Sequence, residues 1–197
     1  ETADLFSDKC YPRFPGAPPT PAFPAVNVRM SDVNAALALA QLKRVPRWIA
    51  QRQAFGMAFC EGIEGIPGVA PHPQPRGAKP SFWWTLFVVD PEVVGVNAEA
   101  FCDMVNAEGI PAFARPQRNI MEWEIFRRLH ENPNVFRSYC PGRLKKGAYP
   151  LEAAPNACTF GERVAAIRMA QHNTVGEARA AARAVRKVAG VLLGKTV

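Results

Sequence analysis

Hydrophobic and polar positions alternate in period along the chain, and the changes of period mark its elements. From Ser31 the pattern is helical: Val33, Ala36, Leu37 and Ala40 recur at three- and four-residue spacing, with Leu39 and Leu42 widening the apolar stripe. Ser31 supplies an N-cap, and Asp32 places a negative charge at the positive end of that helix. Pro46 costs an interior helix about 3 kcal/mol, so the helix must kink there or restart with proline in its first turn. Beyond it, Trp48, Arg52, Phe55, Phe59 and Ile63 share one stripe, which Gly62, Gly65 and Pro67 end.

The run from Phe82 to Asp90 is short, aromatic and β-branched, and predicts a buried strand. Asn97 to Glu108 predicts a helix with Ala98, Phe101, Met104 and Val105 inward, closed by Gly109. A short strand is expected at Ile110–Ala114, and a helix at Met121–Glu131 that stops before Asn132-Pro133. The following thirty residues read as irregular. Val164–Ala170 predicts a further strand, and Thr174 caps a last helix presenting Val175, Ala178, Ala182, Val185 and Leu192. Short strands interspersed with amphipathic helices predict an α+β layer, a short sheet with helices packed on one face. The pattern leaves strand direction open. It also predicts that Trp83, Trp84 and Trp123 fill the core, given the area they would bury.

Residues 9–26 lie outside this alternation. Six prolines between Pro12 and Pro24 exclude regular helix or central strand, so residues 1–30 read as an extended arm or linker preceding a domain at 31–197. No run approaches the roughly 18 uncharged apolar residues of a membrane span, and the first residues lack the basic and apolar regions of a signal peptide. Five cysteines, an odd number and widely spaced, read as free thiols in a reduced cytoplasm.

The net charge of +7 matters locally: between Arg115 and Lys146 eight basic residues stand against three acidic ones. A nucleic-acid footprint would need a recognition motif with that charge, and none is present, so nucleic acid is disfavoured as a partner. Phosphate-binding glycine loops, zinc-protease helices and nucleophile elbows are missing too. His72, His130 and His172 lack ligand spacing. His72 and His130 read as solvated. His172, in Gln171-His172-Asn173 at a strand-to-helix turn, is a candidate site residue, although a capping or solvated role suits it as well.

The most informative stretch is Asn27-Val28-Arg29-Met30-Ser31-Asp32, continuing through Ala35-Ala36 to Gln41-Leu42. An amide and a guanidinium just upstream of a capped helix N-terminus favour an anion such as phosphate, although Asn27 would serve equally as a turn residue. This stretch resembles the N-x-R-M-S-D-x-x-A-A-x-x-x-x-Q-L signature of the DegT/DnrJ/StrS family of pyridoxal-phosphate-dependent sugar aminotransferases. Looser likeness follows in the aromatic strand, in Glu108-Gly109-Ile110 and in Glu162–Met169, so that it covers about residues 25–192.

The resemblance implies the small C-terminal α+β domain of a type I aminotransferase, preceded by a long helix. The large domain, which in such enzymes carries the Schiff-base lysine, would then lie upstream. None of the seven lysines here has that context, so the expectation is a part that does not transaminate alone, whether a proteolytic product, a truncated form or a split subunit. By the same resemblance, Asn27 reaches a neighbouring subunit's cofactor phosphate in a homodimer, and Arg29 serves phosphate or a substrate anion. Arg115 and Arg118, in the loop that the resemblance sets near the substrate, and His172, from its turn alone, are the candidate substrate residues, the implied substrate being a keto-sugar or keto-cyclitol aminated at the expense of an amino acid. The family's loop carries a histidine and an aromatic where this chain has Arg115-Pro116-Gln117-Arg118. The rival reading is a free-standing basic module for a partner chain or phosphorylated ligand.

Overall fold

The computed structural model describes residue 7, residues 26–116, 119–132, 150 and 154–194. Its internal contacts divide the chain into two units, residues 1–47 and 48–197.

In the first unit, helix α1 (Asp32–Leu42) starts where Ser31 Oγ accepts the N–H of Asn34, as the cap predicts. Its apolar residues surround the axis, and not one of them is buried. The buried stripe expected there is therefore absent. Only Asp32, Asn34 and Gln41 are polar along its length, so no polar face sets a buried side. The proline question resolves as a restart. Helix α2 (Val45–Ile63) begins one residue before Pro46, where a missing N–H costs no hydrogen bond.

In the second unit four strands, β1 (Val69–Pro71), β2 (Thr85–Val89), β3 (Ala112–Ala114) and β4 (Val164–Ile167), form a sheet in the order β1-β2-β4-β3. Every pairing is antiparallel. Phe87 lies opposite Ala165 and Pro71, and Thr85 opposite Ile167, so Val69, Phe87, Val89, Ala112, Ala165 and Ile167 share one face. That face joins one core with α2, α4 (Ala98–Ala107) and α7 (Val175–Leu192). Phe87 is fully buried, with ring centroids 5.7 Å from Phe59 and 6.3 Å from Phe101. Burying each such ring contributes about 2–3 kcal/mol.

Helices α2 and α7 meet closely. A Cβ on Gly62 would come within 2.5 Å of the Ala182 Cβ, so the absence of a side chain sets their separation. Beside this contact the Arg186 guanidinium donates to the carbonyls of Gly62 and Glu64 at 2.9 and 3.0 Å, satisfying carbonyl groups at the end of α2.

Helix α6 (Pro155–Arg163) stands where the sequence pattern suggested irregular chain, and strand β1 and the short helix α3 (Pro91–Val94) stand where it predicted no element. Helix α3 is capped by Asp90, whose Oδ1 accepts the N–H of Glu92. Helix α5 (Glu124–Glu131) follows a 3₁₀ turn at Ile120–Glu122 and stops at Asn132, as predicted. Trp83 and Trp123 correct an expectation: they are 73% and 49% exposed, and Trp84 is half-buried. The core-facing positions of β2 belong to the odd-numbered residues Thr85, Phe87 and Val89, which puts Trp84 on the other face, and Trp83 precedes the ladder. Among the described residues no helix is long and apolar enough to cross a membrane.

Candidate functional site

The predicted phosphate-binding pair lies on exposed backbone. Val28 N–H donates to the Ser7 carbonyl at 2.9 Å, anchoring the strand-like segment before α1. Arg29 N–H donates to Asn27 Oδ1 at 3.3 Å. This small turn uses the carboxamide's acceptor and leaves its NH₂ as the group that can donate to a ligand. Both side chains are exposed, and three residues on begins a helix whose first turns present N–H groups.

Such a donor set suits the phosphate end of pyridoxal phosphate. Residues 26–31 hold neither an amine nor a carboxylate, so they offer nothing for the aldehyde or the ring nitrogen. Asp32, in the first turn of α1, adds a negative charge at the start of that helix.

Arg115 stands at the end of β3 with φ of 49°, in the left-handed region that β-carbons disfavour. Its N–H donates to the Val164 carbonyl at 3.0 Å, and its guanidinium pairs with Glu122 Oε1 at 2.5 Å. Glu122 is itself held by a pinned turn. Asn119, buried, accepts the N–H of Met121 on its Oδ1, donates from Nδ2 to Cys158 Sγ, and gives its carbonyl to the N–H of Glu122. Glu122 and Asn119 were not singled out in the sequence. Their signal is non-local, because the carboxylate matters only once the 3₁₀ turn brings it back to β3.

Arg115 also lines a depression of about 380 Å³ with Glu99, Cys102, Asp103 and Asn106. Asn106 clamps its rim: Nδ2 donates to the Ala112 carbonyl and Oδ1 accepts the Ala112 N–H, both at 2.9 Å, imitating a strand partner at β3. Burial, with Asp103 adding to it, pushes the Cys102 thiol up to about 12, so it stays protonated and inert.

His172 is exposed in the turn between β4 and α7 and does not line that depression. Its neighbour Asn173 accepts the Ala170 N–H at 2.6 Å and lines a pocket of about 240 Å³ with Gly109, Ile110, Pro111, Arg168 and Glu177. The structure therefore brings the Gly109-Ile110 loop together with the turn after β4. Thr174 and Glu177 complete a reciprocal cap on α7: each backbone N–H bonds the other's side chain. Hydrogen bonds from the Thr174 N–H and hydroxyl hold the Glu177 carboxyl below its usual value. Arg118 lies outside the described residues.

Residues 12–136 match the model of the DegT/DnrJ/EryC1/StrS aminotransferase family. Among solved structures the chain is similar to 3-amino-5-hydroxybenzoic acid synthase at 20% identity and a TM-score of 0.65, covering 96% of this chain and 46% of that one. It is similar to DesI, solved with its TDP-sugar product, at 20% identity and 0.64, covering 94% and 41%. The protein Spr1654 from Streptococcus pneumoniae, in its PMP form, aligns at 15% identity and 0.67, covering 97% and 43%. The chain spans less than half the length of these structures, and at such identities the likeness establishes the fold.

Proposed function

The chain belongs to the DegT/DnrJ/EryC1/StrS aminotransferase family, and on that premise we propose that it is the small-domain part of a pyridoxal-phosphate enzyme that aminates a keto-sugar or keto-cyclitol. The observation carrying this reading is the exposed Asn27–Arg29 turn, in which the carboxamide oxygen is taken by the Arg29 N–H immediately before a capped helix. When bound, the coenzyme supplies the electron sink that lets an amino group move between carbon skeletons.

This chain's own residues bind and orient. Asn27 donates its carboxamide N–H to a phosphate oxygen, and Arg29 adds positive charge to the same anion or to a substrate anion. The coenzyme belongs to a neighbouring subunit, which makes the working unit a cytoplasmic homodimer. Arg115, with Arg118 and His172, faces the substrate. With its charge paired to Glu122, the Arg115 guanidinium offers its remaining N–H groups to a hydroxyl-rich substrate rather than a stacking ring.

None of the seven lysines supplies the amine that holds the coenzyme's aldehyde, so the 197 residues alone do not transaminate. Among the described lysines, Lys187 spends its ammonium on Glu108 at 2.7 and 2.8 Å, and Lys43 and Lys79 are exposed. Reconstitution tests the reading. The chain, co-expressed with the lysine-bearing large domain of a family enzyme, should form an assembly that consumes an amino-acid donor in a coenzyme-dependent way. A folded assembly with no such turnover on any keto-sugar or keto-cyclitol would count against it.

A further inference from the structure

Helix α2 carries two stripes of side chains. Phe55, Phe59 and Ile63 face the core. Gln53, Met57, Cys60 and, just past the helix end, Glu64 follow at three- and four-residue spacing on another side and line a cleft of about 790 Å³. Pro71, His72, Lys79, Pro80 and Phe82 supply further walls. A cleft of this size falls in the range of small-molecule sites. It lies wholly within the second unit and shares no lining residue with either pocket of the candidate site.

The loop that walls the cleft is braced at both ends. His72 N–H donates to the Leu86 carbonyl at 3.2 Å, extending the β1–β2 ladder, and Gln53 Nε2 donates to the Pro80 carbonyl at 3.1 Å, fastening the far end to α2. Between them the Ala78 N–H closes a turn on the Pro75 carbonyl at 3.0 Å, and Gly77, with φ of 79°, supplies the left-handed residue that turn needs. Gln74 Nε2 donates to the His72 carbonyl at 3.3 Å. Pro71, Pro73, Pro75 and Pro80 fix φ along the same stretch, so little freedom is lost when a ligand enters.

Met57, Pro71, Pro80 and Phe82 give the cleft an apolar lining, and Met57, 65% exposed, has a flexible thioether that can lie along an apolar ligand. Burial, with Glu64 adding to it, raises the Cys60 thiol above its ordinary value, so it stays protonated and adds no charge. His72 sets its ring edge-on to Phe160, with centroids 5.6 Å apart. Lys79 and Glu64 remain, and neither has an ion-pair partner among the described residues. Because Pro80 is tied to Gln53, Lys79 stands at that end of the cleft. Glu64 lies about 16 Å further along by the helical rise, beyond the range at which the two charges neutralise each other. The Arg186 guanidinium, bonded to the Glu64 carbonyl at 3.0 Å, brings a positive charge to that end as well. The cleft therefore favours an anion over an ammonium, and its course along a helix favours a linear ligand.

We propose that this cleft binds an unbranched apolar carboxylate, a medium-chain fatty acid, with its head at Lys79 and its chain along Met57 towards Cys60. The site uses none of the residues assigned to coenzyme or substrate, so it stands or falls separately from the aminotransferase reading.

The test is a calorimetric titration of the 197-residue chain with decanoate below its micelle-forming concentration, with octanoate, decanol and decylamine as comparisons. Decanoate is expected to saturate one site per chain. Octanoate, two methylenes shorter, should bind roughly tenfold more weakly. Decanol should bind about fivefold more weakly, the contribution of an exposed ion pair. Lys79→Gln should bring decanoate down to the affinity of decanol without altering decanol itself, and Met57→Gln should weaken both. Lys79 and Met57 are exposed, so the folded state survives their substitution, and circular dichroism checks this. No saturable binding, several decanoates per chain, decylamine as tight as decanoate, or unchanged decanoate binding by either variant would each overturn the proposal.

Discussion

The main-chain N–H of Arg29 donates to the carboxamide oxygen of Asn27 at 3.3 Å, and this one bond fixes which end of the amide is presented outward. Asn27→Asp keeps an acceptor for that bond but replaces the outward donor with an anion. In the reconstituted enzyme the expected result is coenzyme affinity lower by a factor of about ten or more, since a charge-assisted hydrogen bond contributes about 1.5–3 kcal/mol. Spectrophotometric titration with pyridoxal phosphate measures it. The isolated chain should unfold at the same urea concentration with either residue, because position 27 is exposed.

The left-handed backbone at Arg115 predicts an inverted order of stabilities. Arg115→Gly removes strain of about 1 kcal/mol while losing a half-exposed ion pair worth about 0–1 kcal/mol. Arg115→Ala loses the same pair and keeps the strain. The glycine variant should therefore exceed the alanine variant by about 1 kcal/mol in urea unfolding. A more stable alanine variant would contradict the strain.

Gly62 and Ala182 set the separation of α2 and α7, and Gly62→Ala should destabilise by about 1–3 kcal/mol through overpacking. Adding Ala182→Gly makes room for the new methyl group. The double variant should be more stable than the sum of the single effects predicts, and a double-mutant cycle on chemical denaturation measures that coupling. Additive effects would mean that the two helices do not touch there.

These cases indicate how far the sequence could be read. Helices α4 and α7 follow from Asn97 and Thr174, which cap them, and from apolar residues at helical spacing, because caps and periodicity are local. Strand β1 is three residues long and ends in Pro71; only its pairing with Phe87–Val89 makes it a strand. Antiparallel order was out of reach for the same reason. The Arg115–Glu122 pair and the exposure of Trp83 depend on where distant segments meet. A turn at Asn27, the rival to its phosphate-binding reading, was legible because its geometry lies within three residues, whereas Arg115 and His172 were readable only as residue types near loops.

Acid should loosen α7 in a defined way. Because Glu177 is held below its ordinary value by Thr174, the unfolded chain binds more protons than the folded chain in that range, and stability rises with pH there. The contribution is complete above the unfolded value of about 4.3 and disappears as pH falls through the lower folded value. Thermal midpoints of the parent and of Glu177→Gln should differ at neutral pH and converge on acidification. Parallel curves would show that the carboxylate plays no part in the cap.

The central claim is a proposed division of labour: these 197 residues offer the anion-binding turn, and the amine that holds the coenzyme lies outside them. Its most direct test is to incubate the 197-residue chain with pyridoxal phosphate, dialyse, reduce with borohydride and weigh the intact protein. The expected spectrum holds no stoichiometric phosphopyridoxyl adduct on any of the seven lysines. A single lysine, fully modified after dialysis, would contradict the claim.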